Sequence, residues 1–335
     1  MRSMKVIFCH STALDLIRSC RCGAPFQLLQ TRSVSISDSV HTRTGLAKVE
    51  LPSFPHTDKR IHVLVPTPTM LCDSSIHKSH LIMSPLPVGS LLKISDEVFT
   101  VSPSLLFLQL GKQLSWLDLA LIGAELCGQY SLLPANSPGM RRCAPITQNA
   151  ALAAYIKKFP HARGIRTAAR ALDCISDLSA SPLESSLFLL LTLPVKWGGY
   201  GLPKPSMNPS SPLSKRTARV MGVDELHCDL RWHDPHVALE YNSKDHHVGH
   251  LTHDARRTNA LTAEGERVYT MTPAILANPI ECDNLVKLIA HNLGHRLRGN
   301  ALGDSPKRSE LREKLFPWAS GEAGFANFNS QRNRW

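Results

Sequence analysis

Apolar and polar positions keep no steady period through residue 58, where Ser, Thr, His and Arg interrupt the apolar residues every few steps. Such a segment reads as a variable or partly disordered arm. From Arg60 the pattern sharpens. Ile61-His62-Val63-Leu64-Val65 predicts a strand that Pro66 ends. Leu91–Ile94 and Glu97–Val101 predict a hairpin about Ser95-Asp96. Ser102-Pro103 then opens a helix, with Ser as cap and Pro at the first helical position. Ser115 caps a second helix, supported by Asp118, that stops at Gly128. Residues 148–158 and 163–176 carry two more helical patterns, separated by Pro160.

A second block begins at Ser181, where Ser181-Pro182-Leu183-Glu184 opens an apolar helix through Leu193. The run Gly198–Pro203 reads as a flexible connection, and residues 216–222 as a first strand. Residues 227–232 and 237–242 make a hairpin about His233-Asp234-Pro235-His236. Residues 254–264 predict a helix stopped by Gly265, residues 267–272 a strand, and residues 281–297 a closing amphipathic helix. After residue 300 the chain reads as a flexible tail with room for a short helix at 306–316. The expected organisation is an arm (1–58), a mixed and mainly helical α+β recognition or regulatory domain (59–178), an α/β domain of α-β-β-β-α-β order (179–300) and the tail (301–335).

The hairpin carries an acidic residue by each of its runs, Asp229 and Glu240. Two carboxylates brought together on paired strands can hold a divalent metal ion, which is how many phosphodiester-cutting sites are built. After them come Asn242-Ser243, His247, Asp254-x-x-Arg257 and Leu261. This ordered set resembles the PD-(D/E)XK nuclease superfamily, in the branch around the very-short-patch-repair endonucleases and their bacterial relatives. The likeness covers residues 180–298. It implies a restriction-endonuclease-like core and a Mg2+- or Mn2+-dependent endonuclease acting on DNA, with Asp229 and Glu240 as metal ligands. It also implies roles for Glu184, Asn242 and His247 in catalysis, and for Lys244 and Arg257 in contacting nucleic acid. The block with His80, Pro87-Val88-Gly89 and Val101-Ser102-Pro103 is similar to the region that precedes the nuclease-like domain in bacterial proteins related to abortive-infection antitoxins. That likeness supports an alternative: a non-catalytic nucleic-acid-binding regulator of antitoxin type on a nuclease-like scaffold.

Asn242 departs from the family, which has Asp, Lys or Gln there. It can position a water but adds no charge. Lys244 substitutes only if the backbone returns it to the site. Other residues carry a plainer reading beside the functional one. Ser181-x-x-Glu184 is also a capping box. Asp229 and Glu240 could pair with Arg231 or Lys244 on a solvated face, and Asp254 with Arg257 along one helix. Trp232 and Tyr241 read as packing residues rather than base-stacking platforms. His246, His247, His250 and His253 crowd one loop, but Cys228 is the one nearby thiol and no paired zinc motif accompanies them.

Composition narrows the classes further. A formal net charge of +11 suits an acidic partner such as DNA and equally a solvated basic surface. The nine cysteines have no framework spacing, which points to a reducing compartment and a cytoplasmic protein. The amino-terminal stretch lacks an apolar core of secretory length. The longest apolar run, Leu187–Leu193, is interrupted by Thr192 and too short to span a bilayer, so no membrane partner is expected.

Overall fold

A computed structural model of the chain describes residues 4–31, 36–37, 39–40, 42–82, 85–133, 139–242, 248–298, 301–303 and 305–317, without the side chains of 248–254. The chain is mixed α/β and divides into two compact units, one running to Ile175 and the other starting at Ser176. Among the described residues no helix is long and apolar enough to cross a membrane.

The amino-terminal unit begins with β1 (Val6–Phe8), α1 (His10–Arg21), β2 (Leu29–Gln30) and α2 (Arg43–Leu46). There follow β3 (Ile61–Val65), β4 (His77–Leu81), β5 (Leu91–Lys93) and β6 (Val98–Val101), then α3 (Pro103–Leu110), α4 (Trp116–Cys127), β7 (Tyr130–Leu132), β8 (Met140–Arg142), α5 (Asn149–Ile156) and α6 (Ile165–Leu172). Six strands form one mixed sheet in the order β2-β5-β6-β1-β3-β4, while β7 and β8 pair separately. β1 is an inner strand, parallel to β6 and antiparallel to β3. Ser102 and Ser115 accept hydrogen bonds from the backbone N–H of Leu105 and Asp118, capping α3 and α4.

The first 58 residues are therefore not a poorly packed arm over their described part. Val6, Ile7 and Cys9 are fully buried, and Val40, Leu46, Val49 and Phe54 join the cluster around Phe8 and Val63. The irregular sequence pattern arises because α1 buries polar groups that find partners far along the chain. Asp15 accepts from both the backbone N–H (2.7 Å) and the hydroxyl (2.6 Å) of Thr57, which ties residues 54–58 to α1. Arg18 makes two hydrogen bonds to the Glu125 carboxylate, at 2.9 and 2.7 Å, and both side chains are buried. Such a pair offsets its desolvation only because its geometry is bidentate.

The carboxy-terminal unit contains α7 (Pro182–Thr192), β9 (Ser206–Met207), β10 (Ser210–Pro212), α8 (Lys215–Met221), β11 (Glu225–His227), β12 (Leu230–Trp232) and β13 (Val237–Tyr241). It continues with α9 (Val248–Ala263), β14 (Arg267–Met271), α10 (Pro273–Ala277), α11 (Pro279–Asn292) and α12 (Pro306–Leu315). Its main sheet has the order β14-β13-β12-β9, with β13 and β14 parallel and the other pairs antiparallel. β10 and β11 make a separate ribbon.

Three expectations need correction. Residues 216–222 are not a strand: Ser214 accepts from Thr217 N–H and starts α8 there, so the strand that joins β12 is Ser206–Met207 instead. The Gly198–Gly201 run is not a loose connection. A Cβ on Gly199 would stand 2.0 Å from the Leu193 carbonyl oxygen, and Arg308 donates to the carbonyls of Gly198 and Gly199, both at 3.1 Å. The chain after residue 300 is not simply a tail, because α12 packs on α7 and buries Arg308, Leu311, Arg312 and Leu315. Asp283 organises this corner: it accepts from the Tyr200 hydroxyl at 2.6 Å and pairs with Arg308 at 3.5 Å.

Candidate functional site

β12 and β13 run antiparallel with Leu230 opposite Leu239, which sets Asp229, just before β12, against the end of β13. The backbone N–H of Tyr241 donates to Asp229 Oδ2 at 2.7 Å and fixes that carboxylate. Glu240, the residue before it, is only 4% exposed although β13 is otherwise apolar. Its Oε2 accepts a hydrogen bond from Arg257 of α9, and the same guanidinium nitrogen lies 3.8 Å from Asp229 Oδ1. Glu240 Oε1 is buried without a hydrogen-bond partner among the described residues. Desolvating such an atom uncompensated is costly, and an ordered ligand at the position would remove the cost.

Glu184 enters from the first turn of α7. The Ser181 hydroxyl accepts from Glu184 N–H at 3.1 Å and donates to Glu184 Oε1 at 3.0 Å. The reciprocal contact goes one residue further back than in an ordinary capping box, with Ala180 N–H donating to Oε2 at 2.8 Å. Asn208 Nδ2 donates to the same oxygen at 2.6 Å and to the Leu178 carbonyl at 3.0 Å. Burial first, and then the neighbouring Asp229 charge, push the Glu184 carboxyl up to about 7, against those hydrogen bonds. Glu184 thus caps its helix and faces Asp229 at the same time.

Sequence reasoning missed Asn208. It follows β9 with φ 46, a left-handed conformation that Asn tolerates, and its backbone N–H donates to the Asp229 carbonyl at 3.0 Å. One side chain and one N–H therefore tie α7 to the entry of β12. The dipeptide Asn208-Pro209, a turn signal, was the readable cue.

The remaining candidates divide as follows. Asn242 is half-buried and continues the strand pairing, its N–H donating to the Met271 carbonyl at 2.9 Å. Lys244 and His247 lie outside the described residues, as do His246 and the side chains of His250, His253 and Asp254. Arg231 pairs with Glu266, which His236 also approaches at 3.3 Å. Trp232 is buried and donates from Nε1 to the Pro203 carbonyl at 2.7 Å.

The donor set suits a hard divalent cation in kind, since it consists of carboxylate oxygens with the Tyr241 carbonyl nearby in the chain. Asp229 and Glu240 fit such an ion as a pair: both bind one cationic group already, and Glu240 keeps a buried oxygen in reserve. The oxygens of Asp229, Glu240 and Glu184 do not gather within 4.8 Å of one another as a three-ligand cluster. Arg257 supplies one of the two positive charges that a divalent metal would bring, so a metal would have to compete with the guanidinium for the same carboxylates. No protein-family model, no curated protein and no solved structure matches the chain.

Proposed function

We propose that the carboxy-terminal unit is a metal-dependent DNA endonuclease site, or the weakened descendant of one, on a restriction-endonuclease-like core. The observation that carries this reading is the buried Glu240 Oε1 beside Asp229, without a partner among the described residues, with Glu184 raised to about 7 by burial and then by the Asp229 charge. A buried acid shifted by burial and a like-charged neighbour marks a functional-site candidate. The elements α7, β9, β12, β13, α9 and β14, with β10, α8 and β11 inserted between β9 and β12, support it as well, because they set both carboxylates at one end of a small sheet.

In this reading Asp229 and Glu240 would hold Mg2+ or Mn2+, which would supply Lewis acidity for a phosphoryl oxygen and a bound water of lowered pKa. Tyr241 N–H keeps Asp229 oriented. Arg257, if displaced from its carboxylates by such a cation, would be free for the DNA backbone phosphate, a group its planar fork matches. Glu184, about half protonated near neutral pH, lowers the negative charge beside Asp229. Asn242 would position water through its amide, and the resemblance assigns Lys244 and His247 to the phosphate.

One observation favours the second reading, a DNA-binding regulator without catalysis. Arg257 already pairs with both carboxylates, and Asn242 brings no charge where the resembling nucleases carry Asp, Lys or Gln. A single experiment separates the two. Supercoiled plasmid and single-stranded DNA are incubated with Mg2+ or Mn2+ and the wild type, Asp229→Asn or Glu240→Gln. Cutting that both substitutions abolish supports the nuclease. Retention of DNA on the wild type, weakening steeply with salt and without cutting, supports the regulator. Cutting that survives in either variant overturns the assignment of the site.

A further inference from the structure

The amino-terminal unit holds a second cluster of chemistry. Cys9 and His10 occupy the junction of β1 and α1, and His80 lies on β4. One ligand atom from each comes within 4.8 Å of the others. Cys9 is fully buried, His10 is 6% exposed, and the His10 and His80 rings stack at 3.7 Å. His10 Nδ1 is buried with no hydrogen-bond partner among the described residues. His10 also holds φ at 52, in the left-handed region that non-glycine residues seldom adopt, while its N–H reaches Gln109 Oε1 at 3.4 Å.

Behind these residues stands an orienting relay. His80 Nε2 is 2.9 Å from His62 Nδ1, and His62 Nε2 is 3.0 Å from the Asp58 carboxylate. A carboxylate acting through one ring on the next fixes tautomer and ring direction, the usual support for a metal-binding histidine. β3 carries His62 next to β4, and the Cys9 N–H donates to the His62 carbonyl at 3.0 Å, so the sheet itself brings the four residues together.

We propose that Cys9, His10 and His80 bind one soft transition-metal cation of the zinc class, with His62 and Asp58 orienting His80. The donor set of one thiolate and two imidazoles leaves a fourth tetrahedral position open for water or another ligand. Ligand atoms around Zn2+ stand about 3.3–3.6 Å apart, so the site closes slightly on binding. Ligation also turns the two rings out of their stack, so that both lone pairs converge. Cys9 binds as the thiolate, so its proton leaves as the cation enters.

The test uses the full-length protein, stripped with a chelator and titrated with Co2+ and then with Zn2+. One equivalent of Co2+ gives a thiolate-to-cobalt charge-transfer band and the intense visible bands of a four-coordinate ion, and Zn2+ bleaches both. Cys9→Ser removes the charge-transfer band, and His80→Gln weakens binding. His62→Gln lowers affinity about 10–100-fold, as loss of an orienting partner does. Asp229→Asn with Glu240→Gln leaves the band unchanged, which separates this site from the carboxylates. A folded wild type without the band at saturating Co2+ overturns the proposal. So does a band that persists in Cys9→Ser. Should Cys9→Ser not fold, undiminished affinity in His80→Gln with a wild-type circular dichroism spectrum overturns it equally.

Discussion

Arg257 hydrogen-bonds one oxygen of Glu240 and leaves the other, Oε1, buried and without a partner among the described residues. The guanidinium is 29% exposed and the Glu240 side chain 5%, so the cation sits at the mouth of the site and the carboxylate inside it. Removing the arginine strands a buried charge. Arg257→Gln is expected to cost about 1–3 kcal/mol, below the range for fully buried pairs because solvent screens the guanidinium. Millimolar Mn2+ should then restore more of the melting temperature in the variant than it adds to the wild type. Thermal melts with and without Mn2+ check this, and equal increments in both proteins would count against competition between arginine and metal.

Glu184 gives the site a pH signature. Its folded pKa, about 7, lies above the value of 4.5 for an unperturbed glutamate, so the folded state holds its proton longer than the unfolded state. Below the unfolded value both states are protonated and Glu184 adds no pH dependence. As pH rises from about 4.5 to about 7 the unfolded chain ionises first, and its share of stability declines, levelling off above that. The groups that face it are Asp229, Asn208, Ser181 and Ala180 N–H. Glu184→Gln should flatten this part of the profile relative to wild type. Urea unfolding at several pH values between 4.5 and 7.5 is the measurement, and parallel profiles for the two proteins would sink the prediction.

What was legible in the sequence was whatever local chemistry decided. Ser102, Ser115 and Ser181 announce their helices because a cap and the backbone N–H that donates to it are three residues apart. β3 and the β5–β6 hairpin follow from short apolar runs with turn residues between them. β1 and α1 stayed hidden because Asp15 and Arg18 look like surface residues until Thr57, 42 positions away, and Glu125, 107 positions away, are brought against them. α8 was misread because Ala218 and Val220 alternate like a strand, whereas Ser214 caps a helix there. In the site, Asp229, Glu240, Glu184 and Arg257 stand out by type and order. Asn208 does not, because its importance lies in a left-handed backbone and a bridge to Glu184 across 24 residues.

The Arg18–Glu125 pair should be the most sensitive polar contact of the amino-terminal unit. Glu125 also accepts from the backbone N–H of Leu132 at 3.1 Å, so α1, α4 and β7 meet at one carboxylate. Glu125→Gln keeps the shape but leaves Arg18, 2% exposed, without its counter-charge. A loss of about 3–5 kcal/mol is expected for breaking a buried pair from one side. The double variant Arg18→Met with Glu125→Leu should lose less than the sum of the single changes. Chemical denaturation of the four proteins in a cycle reads the coupling, and additive losses would show that the pair acts as two independent residues.

Two neighbouring glycines should respond differently to alanine. At Gly199 a Cβ meets the Leu193 carbonyl at 2.0 Å, and the Leu193 carbonyl carbon at 2.5 Å. These are backbone atoms, so relief requires moving the end of α7 or breaking the Arg308 contact to the Gly199 carbonyl. At Gly201 the nearest atom is Val195 Cγ2 at 3.8 Å, and the cost is only that of φ +71. Overpacking against a rigid neighbour costs about 1–3 kcal/mol, and Gly199→Ala belongs at the upper end of that range. Gly201→Ala should cost about 1–2 kcal/mol, the penalty for one left-handed residue with a side chain. Urea midpoints followed by circular dichroism rank the two. If Gly201→Ala proves the more damaging, the close approach of α7, the glycine loop and α12 described here is wrong at that point.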